Sequence, residues 1–374
     1  MSDADRPDGY FERLVDEDAL RSYLAGELGE AEPFAVERHD AGHSNETLFA
    51  TWGDRDLVIR RPPPGEVAET AHDVLREYRV VDALQGTEVP VPPTVLACED
   101  HGVLGCDFYV MERVEGDVLR ESEPERFAAP GARRRIGEEL VDALATIHGV
   151  DYEAVGLGDF GRPAGYTERQ VERWRKQLAW AFERTREERE VPALEAVGEW
   201  LADNVPESHP ETLVHGDYKL DNVMFAPAGR YASGNGGAGG ARGAAEPEIV
   251  AVFDWELSTL GDPLSDLGWL LAFWRDEGDP EPAVPELMPT FMAREGYPTR
   301  RELAERYEER TGIAFENDRF YRALAVYKLA ALGEMFLRRH LEGNSSDPLY
   351  PKMGAGVPAL ADRAVRIVDG DEEL

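Results

Sequence analysis

Lysine is almost missing from this chain. Only Lys176, Lys219, Lys328 and Lys352 occur in 374 residues, and with the arginines they make 40 basic side chains against 75 acidic ones, a formal net charge of −35. A field of that sign repels nucleic acid and anionic membrane over most of the surface, so neither is expected as a partner. Cysteine is scarce too, with only Cys98 and Cys106. Zinc would need more ligands nearby, and the pair brackets an expected turn at Asp100-His101-Gly102, so buried free thiols are the expectation. No apolar run is long enough to span a bilayer. The polar, acidic segment Met1 to Asp8 does not resemble a secretory signal, and a cytoplasmic location is expected. There is no internal repeat. The Gly-rich run Gly229 to Glu248 is not followed by Lys-Ser/Thr and a helix, which excludes a phosphate-binding P-loop; it reads as a flexible hairpin loop.

What is present points to a folded, two-part protein. The acidic excess has two readings, disorder or adaptation to concentrated salt as in the cytosolic proteins of salt-loving organisms. Periodic apolar residues and plentiful aromatics favour the second. The length exceeds what one small core needs, and the pattern divides it into a β-rich lobe, 1–115, and a mainly helical lobe, 116–374.

In the first lobe a helix is expected from Asp16 to Leu28. Strands follow at Phe34–Arg38 and Thr47–Trp52 around a polar turn holding Gly42, Ser44 and Asn45. The backbone N–H groups of such a turn can cradle phosphate oxygens, although an ordinary hairpin looks the same. The strand Leu57–Arg61 places Val58 and Arg60 on one face and Ile59 and Arg61 on the other. The helix after it carries Val74, Tyr78, Val81 and Leu84, with Gly86 as its stop. Glu77 lies beside that stripe, where it can pair with an arginine of the strand or face solvent. Strands at Pro93–Cys98 and Asp107–Arg113 end the lobe. The connector at Met111, Glu112 and Val114 offers backbone that can pair with an adenine edge.

The second lobe opens with a helical stripe over Ile136, Leu140, Val141, Leu144 and Ile147, ending at Gly149. A capping-box sequence at Thr167–Gln170 precedes Val171, Trp174, Leu178 and Phe182, and Leu194, Val197 and Leu201 continue the pattern. Its centre is Leu213 to Phe225, two short apolar runs around His215-Gly216-Asp217-Tyr218-Lys219-Leu220-Asp221-Asn222. A second apolar run, Ile249 to Phe253, ends in Asp254. After a turn through Asp262 and Asp266, an apolar helix is expected over Gly268–Trp274. A capped helix from Thr299 to Gly312 and a long one, Asp318–Leu341, follow. Phosphoryl transfer needs a carboxylate near the acceptor hydroxyl, oxygen ligands for magnesium and cations on the phosphates. Asp217 and Asn222 are five residues apart, the spacing of base and metal-binding Asn in the kinase catalytic loop, and Asp254 adds a carboxylate.

His215-Gly216-Asp217 through Asn222, then Phe253-Asp254-Trp255-Glu256 and Gly261-Asp262-Pro263 with Asp266, resemble the aminoglycoside phosphotransferase family of kinase-like enzymes over nearly the whole chain. The resemblance implies an α+β, bilobal protein-kinase-like fold, with ATP or GTP as donor and Mg2+ as cofactor. It implies Asp217 as base, Asn222 and Asp254 as metal ligands, and Lys219 on the transferred phosphate. It also implies Arg60, with Arg61 as rival, on the nucleotide phosphates, and Glu77 as the arginine's partner. Gly42, Ser44, Asn45, Val58, Met111, Glu112 and Val114 would complete the nucleotide site, with His215, Asp262 and Asp266 as structural support. The partner expected is a small-molecule hydroxyl. Val-Ile-Arg-Arg-Pro-Pro and His-Gly-Asp-Tyr-Lys-Leu-Asp-Asn most resemble the branch related to kinase domains fused to acyl-CoA dehydrogenases, which implies a hydroxyacyl-CoA acceptor. A silent nucleotide-binding regulator is the rival class. A protein kinase is disfavoured by the short segment between Asp254 and Gly261.

Overall fold

A computed structural model describes residues 10–39, 45–64, 73–207, 210–228 and 246–374. The expected phosphate-cradling turn with Gly42 and Ser44, and most of the Gly229–Glu248 run, lie outside them. The chain forms two compact units, Met1–Glu115 with Ala251–Ser258, and Gly116–Val250 with Thr259–Leu374.

The first unit begins with α1 (Tyr10–Leu14) and α2 (Glu17–Leu28), the latter capped by Asp16, whose carboxylate accepts from the N–H of Ala19. The strands are β1 (Phe34–His39), β2 (Glu46–Trp52) and β3 (Arg55–Arg61). Helix α3 (Val74–Ala83), β4 (Thr94–Cys98), α4 (His101–Leu104) and β5 (Phe108–Glu112) follow. The strands make one antiparallel sheet in the order β1-β2-β3-β5-β4. Both faces are covered, which is why β3 and β5 read as continuous apolar runs. On one face Leu48, Leu57, Ile59, Phe108 and Val110 pack with Leu20 and Leu24 of α2. On the other, Val58, Tyr109 and Met111 pack with Val74 of α3. The turn expected at Asp100–Gly102 is instead the start of α4, capped by Asp100, because its carboxylate takes the Gly102 N–H at 2.8 Å. Both cysteines are free, but Cys106 is only half-buried, so full burial holds for Cys98 alone.

The second unit holds α5 (Pro130–His148), α6 (Tyr166–Thr185), α7 (Pro192–Asp203), β6 (Thr212–Val214), β7 (Val223–Phe225) and β8 (Ile249–Val252), in which the chain passes to the first unit at Ala251. Then come β9 (Thr259–Gly261), α8 (Pro263–Phe273), α9 (Arg300–Thr311), α10 (Asp318–Leu341) and α11 (Met353–Asp369). Helix α10 is buried over most of its length and packs against α6, α8 and α11. Its fully buried Glu334 is matched by Arg189 at 2.7 Å.

Two boundaries differ from expectation. Thr167 is no N-cap: α6 starts at Tyr166 after Gly165, and the buried Thr167 hydroxyl donates to Asp262 at 3.1 Å instead. Helix α8 starts at Pro263, well before Gly268, because Asp262 caps it and Thr259–Gly261 is drawn into a strand with β6. The capping box at Thr299 and Glu302 forms as expected. No helix among the described residues is long and apolar enough to cross a membrane.

Candidate active site

The loop after β6 turns sharply at Gly216, whose φ of 84° lies in the left-handed region that favours glycine. Asp266, in the first turn of α8, fastens the turn by accepting the N–H groups of His215 at 2.6 Å and Gly216 at 2.9 Å. His148 lies 3.3 Å from the same carboxylate and is itself 2.7 Å from the Tyr307 hydroxyl. Burial works against the Asp266 charge, yet His148, His215 and the backbone bond hold its pKa below the ordinary range. Asp262 caps α8 through Leu264 at 3.0 Å and accepts from Tyr321 at 2.7 Å. His215 is wholly buried and accepts the Asp217 N–H at 3.2 Å through Nδ1. These contacts fasten the loop and the start of α8.

Asp217 is the group the loop presents. Its Oδ2 accepts from Lys219 Nζ at 2.7 Å and Asn222 Nδ2 at 3.0 Å, and its Oδ1 from Trp269 Nε1 at 2.8 Å. Lys328 donates to the Gly216 carbonyl at 2.7 Å and lies 3.8 Å from the centroid of the Trp269 ring. Burial would raise the Asp217 pKa, but Lys219 and Lys328 hold it below the ordinary value, so the carboxylate is ionised and able to take a proton. Burial depresses Lys328 to about 8. Lys219 and Asp221 also line a narrow cavity with Phe273, Pro289 and Met292.

Trp269 and Lys328 are the residues that sequence reasoning missed. Trp269 sits in an apolar helix and reads as core. Lys328 carried a signal, being one of only four lysines and lying within the otherwise apolar stretch Ala323–Gly333 of α10.

The first unit gathers Arg60, Glu77 and Asp254. Strand alternation aims Arg60 at α3, where Nη2 lies 3.2 Å and 3.3 Å from the two oxygens of the buried Glu77, while Nη1 donates to Thr47 at 2.9 Å. Arg61 points to the opposite face and is spent on the carbonyls of Leu14 and Leu104. Burial would weaken the Arg60 charge; Glu77, Tyr109 and Asp254 outweigh it and push the pKa up. Burial pushes the Glu77 carboxyl up while Arg60 pulls it back. Asp254 stands just after β8 at φ 64°, a strained conformation for a non-glycine residue, 3.8 Å from Arg60. Its Oδ1 is buried without a hydrogen bond among the described residues.

Among the other expected residues, Val58 and Met111 share a small apolar cluster with Val74 and Tyr109. The side chain of Asn45 is buried with neither polar atom bonded among the described residues. The Glu112 carboxylate pairs with Arg55 at 2.6 Å, and its N–H donates to Pro93. Val114 follows in irregular backbone.

The described residues contain no cluster of three or more His, Cys, Asp or Glu able to hold a metal. Magnesium does not need one, since it takes one or two protein oxygens plus phosphate and water. Oδ1 of Asp254, 3.8 Å from Arg60 and without a hydrogen bond among the described residues, fits that demand. In the second unit, Asn222 spends Nδ2 on the carbonyl and carboxylate of Asp217.

Comparison with known proteins gives the family. The model of the phosphotransferase enzyme family matches residues 35–234 and 242–305. Acyl-CoA dehydrogenase family member 10 of Mus musculus is 33% identical over 354 residues, 94% of this chain and 31% of that protein. The chain thus spans about a third of the length of the curated relatives it matches, 31% to 40%. The crystal structure of a candidate aminoglycoside phosphotransferase from Ralstonia eutropha JMP134 is 33% identical, with a TM-score of 0.78 over 95% of this chain and 99% of that one. The choline kinase of Cryptosporidium parvum shares the fold at 9% identity, with a TM-score of 0.62 over 95% of this chain and 97% of that one. The chain belongs to the phosphotransferase enzyme family and has a kinase-like fold.

Proposed function

We propose that this protein moves the terminal phosphoryl group of ATP or GTP onto the hydroxyl of a small molecule, with Asp217 as general base. The observation that carries the reading is the Asp217 carboxylate, fixed by Trp269, Lys219 and Asn222 and kept ionised by its lysines. The acceptor oxygen attacks the γ-phosphorus as its proton passes to Asp217. The bond from that phosphorus to the bridging oxygen breaks, and the nucleoside diphosphate leaves with the electron pair. Lys219 then turns from Asp217 to the transferred group, and Arg60, stiffened by Glu77, offers a fixed cation to the nucleotide phosphates. Asn222 in the second unit and Asp254 in the first are proposed as magnesium ligands. Bound magnesium supplies charge neutralisation on the phosphate oxygens.

A hydroxyacyl-CoA is the acceptor we favour. The support is the likeness, over 94% of this chain, to a relative named as an acyl-CoA dehydrogenase family member. The acidic composition fits a protein working in the cytoplasm at high salt. Incubation with labelled ATP or GTP, magnesium and a panel of hydroxyacyl-CoAs, sugars and amino alcohols in concentrated salt tests the proposal. Label on a hydroxyacyl-CoA is expected. Label on another acceptor replaces the substrate class alone, whereas magnesium-dependent nucleotide binding without any labelled product favours the silent regulator.

A further inference from the structure

Away from Asp217, the second unit holds a cavity of about 200 Å³ lined by α11 and the irregular segment that follows α8. Drug-sized ligands use about 300–1,000 Å³, so this one suits a smaller molecule. Val284, Leu287 and Leu360 make part of its wall, and Arg275, Arg300, Arg363 and Arg366 line it together with the acids Asp279, Glu281, Asp362 and Glu372.

Those arginines are unevenly served. Arg300 has three carboxylates, Asp276 at 3.2 Å, Asp279 at 2.6 Å and Glu372 at 3.5 Å. Arg275 is 7% exposed, donates to the carbonyls of Asp279 and Pro280, and has an Nε with no hydrogen-bond partner among the described residues. No carboxylate pairs with it among those residues. Arg363 and Arg366 share the single carboxylate of Glu372, at 3.0 Å and 3.3 Å. Arg322 reaches the same group at 3.5 Å, with Asp318 as its other partner at 3.3 Å. Burial leaves Arg322 and Arg363 below their ordinary pKa in spite of Glu372, as expected of cations short of counter-charge.

Glu372 is held so that its side chain alone can leave. It follows the end of α11, and its N–H donates to the Arg366 carbonyl at 3.1 Å while its own carbonyl accepts from Arg322 at 3.0 Å. These backbone bonds do not depend on the carboxylate.

We propose that this cavity is a second small-molecule site, for a short aliphatic carboxylate, with the Glu372 side chain holding the arginines until the ligand replaces it. One carboxylate exchanges for another on the same guanidiniums, so the charge balance is kept. The aliphatic part then decides the outcome by packing on Val284, Leu287 and Leu360. Each buried methylene multiplies affinity about fourfold. The assignment does not depend on the phosphoryl-transfer reading.

Ligand-detected NMR of the whole chain with acetate, butanoate and hexanoate tests this, with hexanamide as the uncharged control. Ala359→Trp, a change at an exposed lining position, fills the cavity while sparing the arginines. The expected result is affinity rising about fourfold per methylene, hexanamide bound about tenfold more weakly or worse, and hexanoate binding lost in Ala359→Trp. Glu372→Gln should bind hexanoate several-fold more tightly than the wild type. Absence of hexanoate binding, equal binding of hexanamide, or undiminished binding by Ala359→Trp overturns the proposal.

Discussion

Replacing Asp217 by Asn keeps the volume of the side chain and exchanges an acceptor-only carboxylate for an amide with one acceptor end and one donor end. In the wild type two donors, Lys219 and Asn222, address Oδ2, and one, Trp269, addresses Oδ1. The variant should aim its oxygen at the pair and its Nδ2 at the indole N–H. One bond is then lost and two N–H groups face each other, at a cost of about 1–3 kcal/mol. Lys219 and Lys328 also lose the charge that keeps this carboxyl below its ordinary pKa. The melting temperature should fall by several degrees while the circular dichroism spectrum of the fold persists. Turnover should fall much further, because the general base contributes ~10²–10⁴-fold, or about 2.7–5.5 kcal/mol of barrier. The assay is coupled release of the nucleoside diphosphate with the acceptor that the screen identifies. Turnover within about twofold of the wild type, from protein shown to be folded, would refute Asp217 as base.

Trp269→Phe removes the N–H that fixes Oδ1 and keeps an aromatic ring under Lys328. With up to about 1.5–3 kcal/mol at stake, kcat should fall about tenfold or more with KM little changed, measured by steady-state kinetics. Lys328→Met removes a cation that helps depress the Asp217 pKa, so the acidic limb of the kcat/KM profile should move to higher pH. The same lysine is lowered to about 8 from 10.5, so the unfolded chain binds the extra proton between these values. Wild-type stability should therefore gain from this group as pH rises through that window, and Lys328→Met should lack the gain in a denaturation series. Glu77→Ala strands Arg60 among buried groups and should cost about 3–5 kcal/mol by chemical denaturation. Raising salt from about 0.1 M to about 1 M shrinks the Debye length from roughly 10 Å to 3 Å, and a protein of charge −35 should melt higher as a result.

Local signals set much of the fold in advance. Asp16, Thr299 and Gly312 mark helix ends by their own side chain or by the lack of one, and the structure uses all three. Thr167 carried the same kind of signal and misled, because the buried carboxylate of Asp262, far along the chain, competes for its hydroxyl. The start of α8 was hidden for a related reason. Thr259–Gly261 has no strand pattern of its own and becomes a strand by pairing with Thr212–Val214.

The same division runs through the candidate site. Asp217, Lys219 and Asn222 are neighbours in sequence, so their spacing alone brings them together. Arg60 and Arg61 are adjacent and chemically identical, and only the faces of β3 separate them. Once both faces are known, Glu77 on α3 claims Arg60 and the Leu14 and Leu104 carbonyls claim Arg61. Trp269 and Lys328 come from α8 and α10, and nothing local ties either to Asp217. Yet scarcity applied to both lysines alike. A chain with only four lysines has two of them at one loop, one on the carboxylate and one on the carbonyl beside it. Arginine cannot readily take Lys328's place: it is bulkier, and its charge does not yield to burial as an ammonium does. Lys328→Arg should therefore strain the contact with Trp269 more than it restores the charge, and should rescue the pH profile of Lys328→Met only in part.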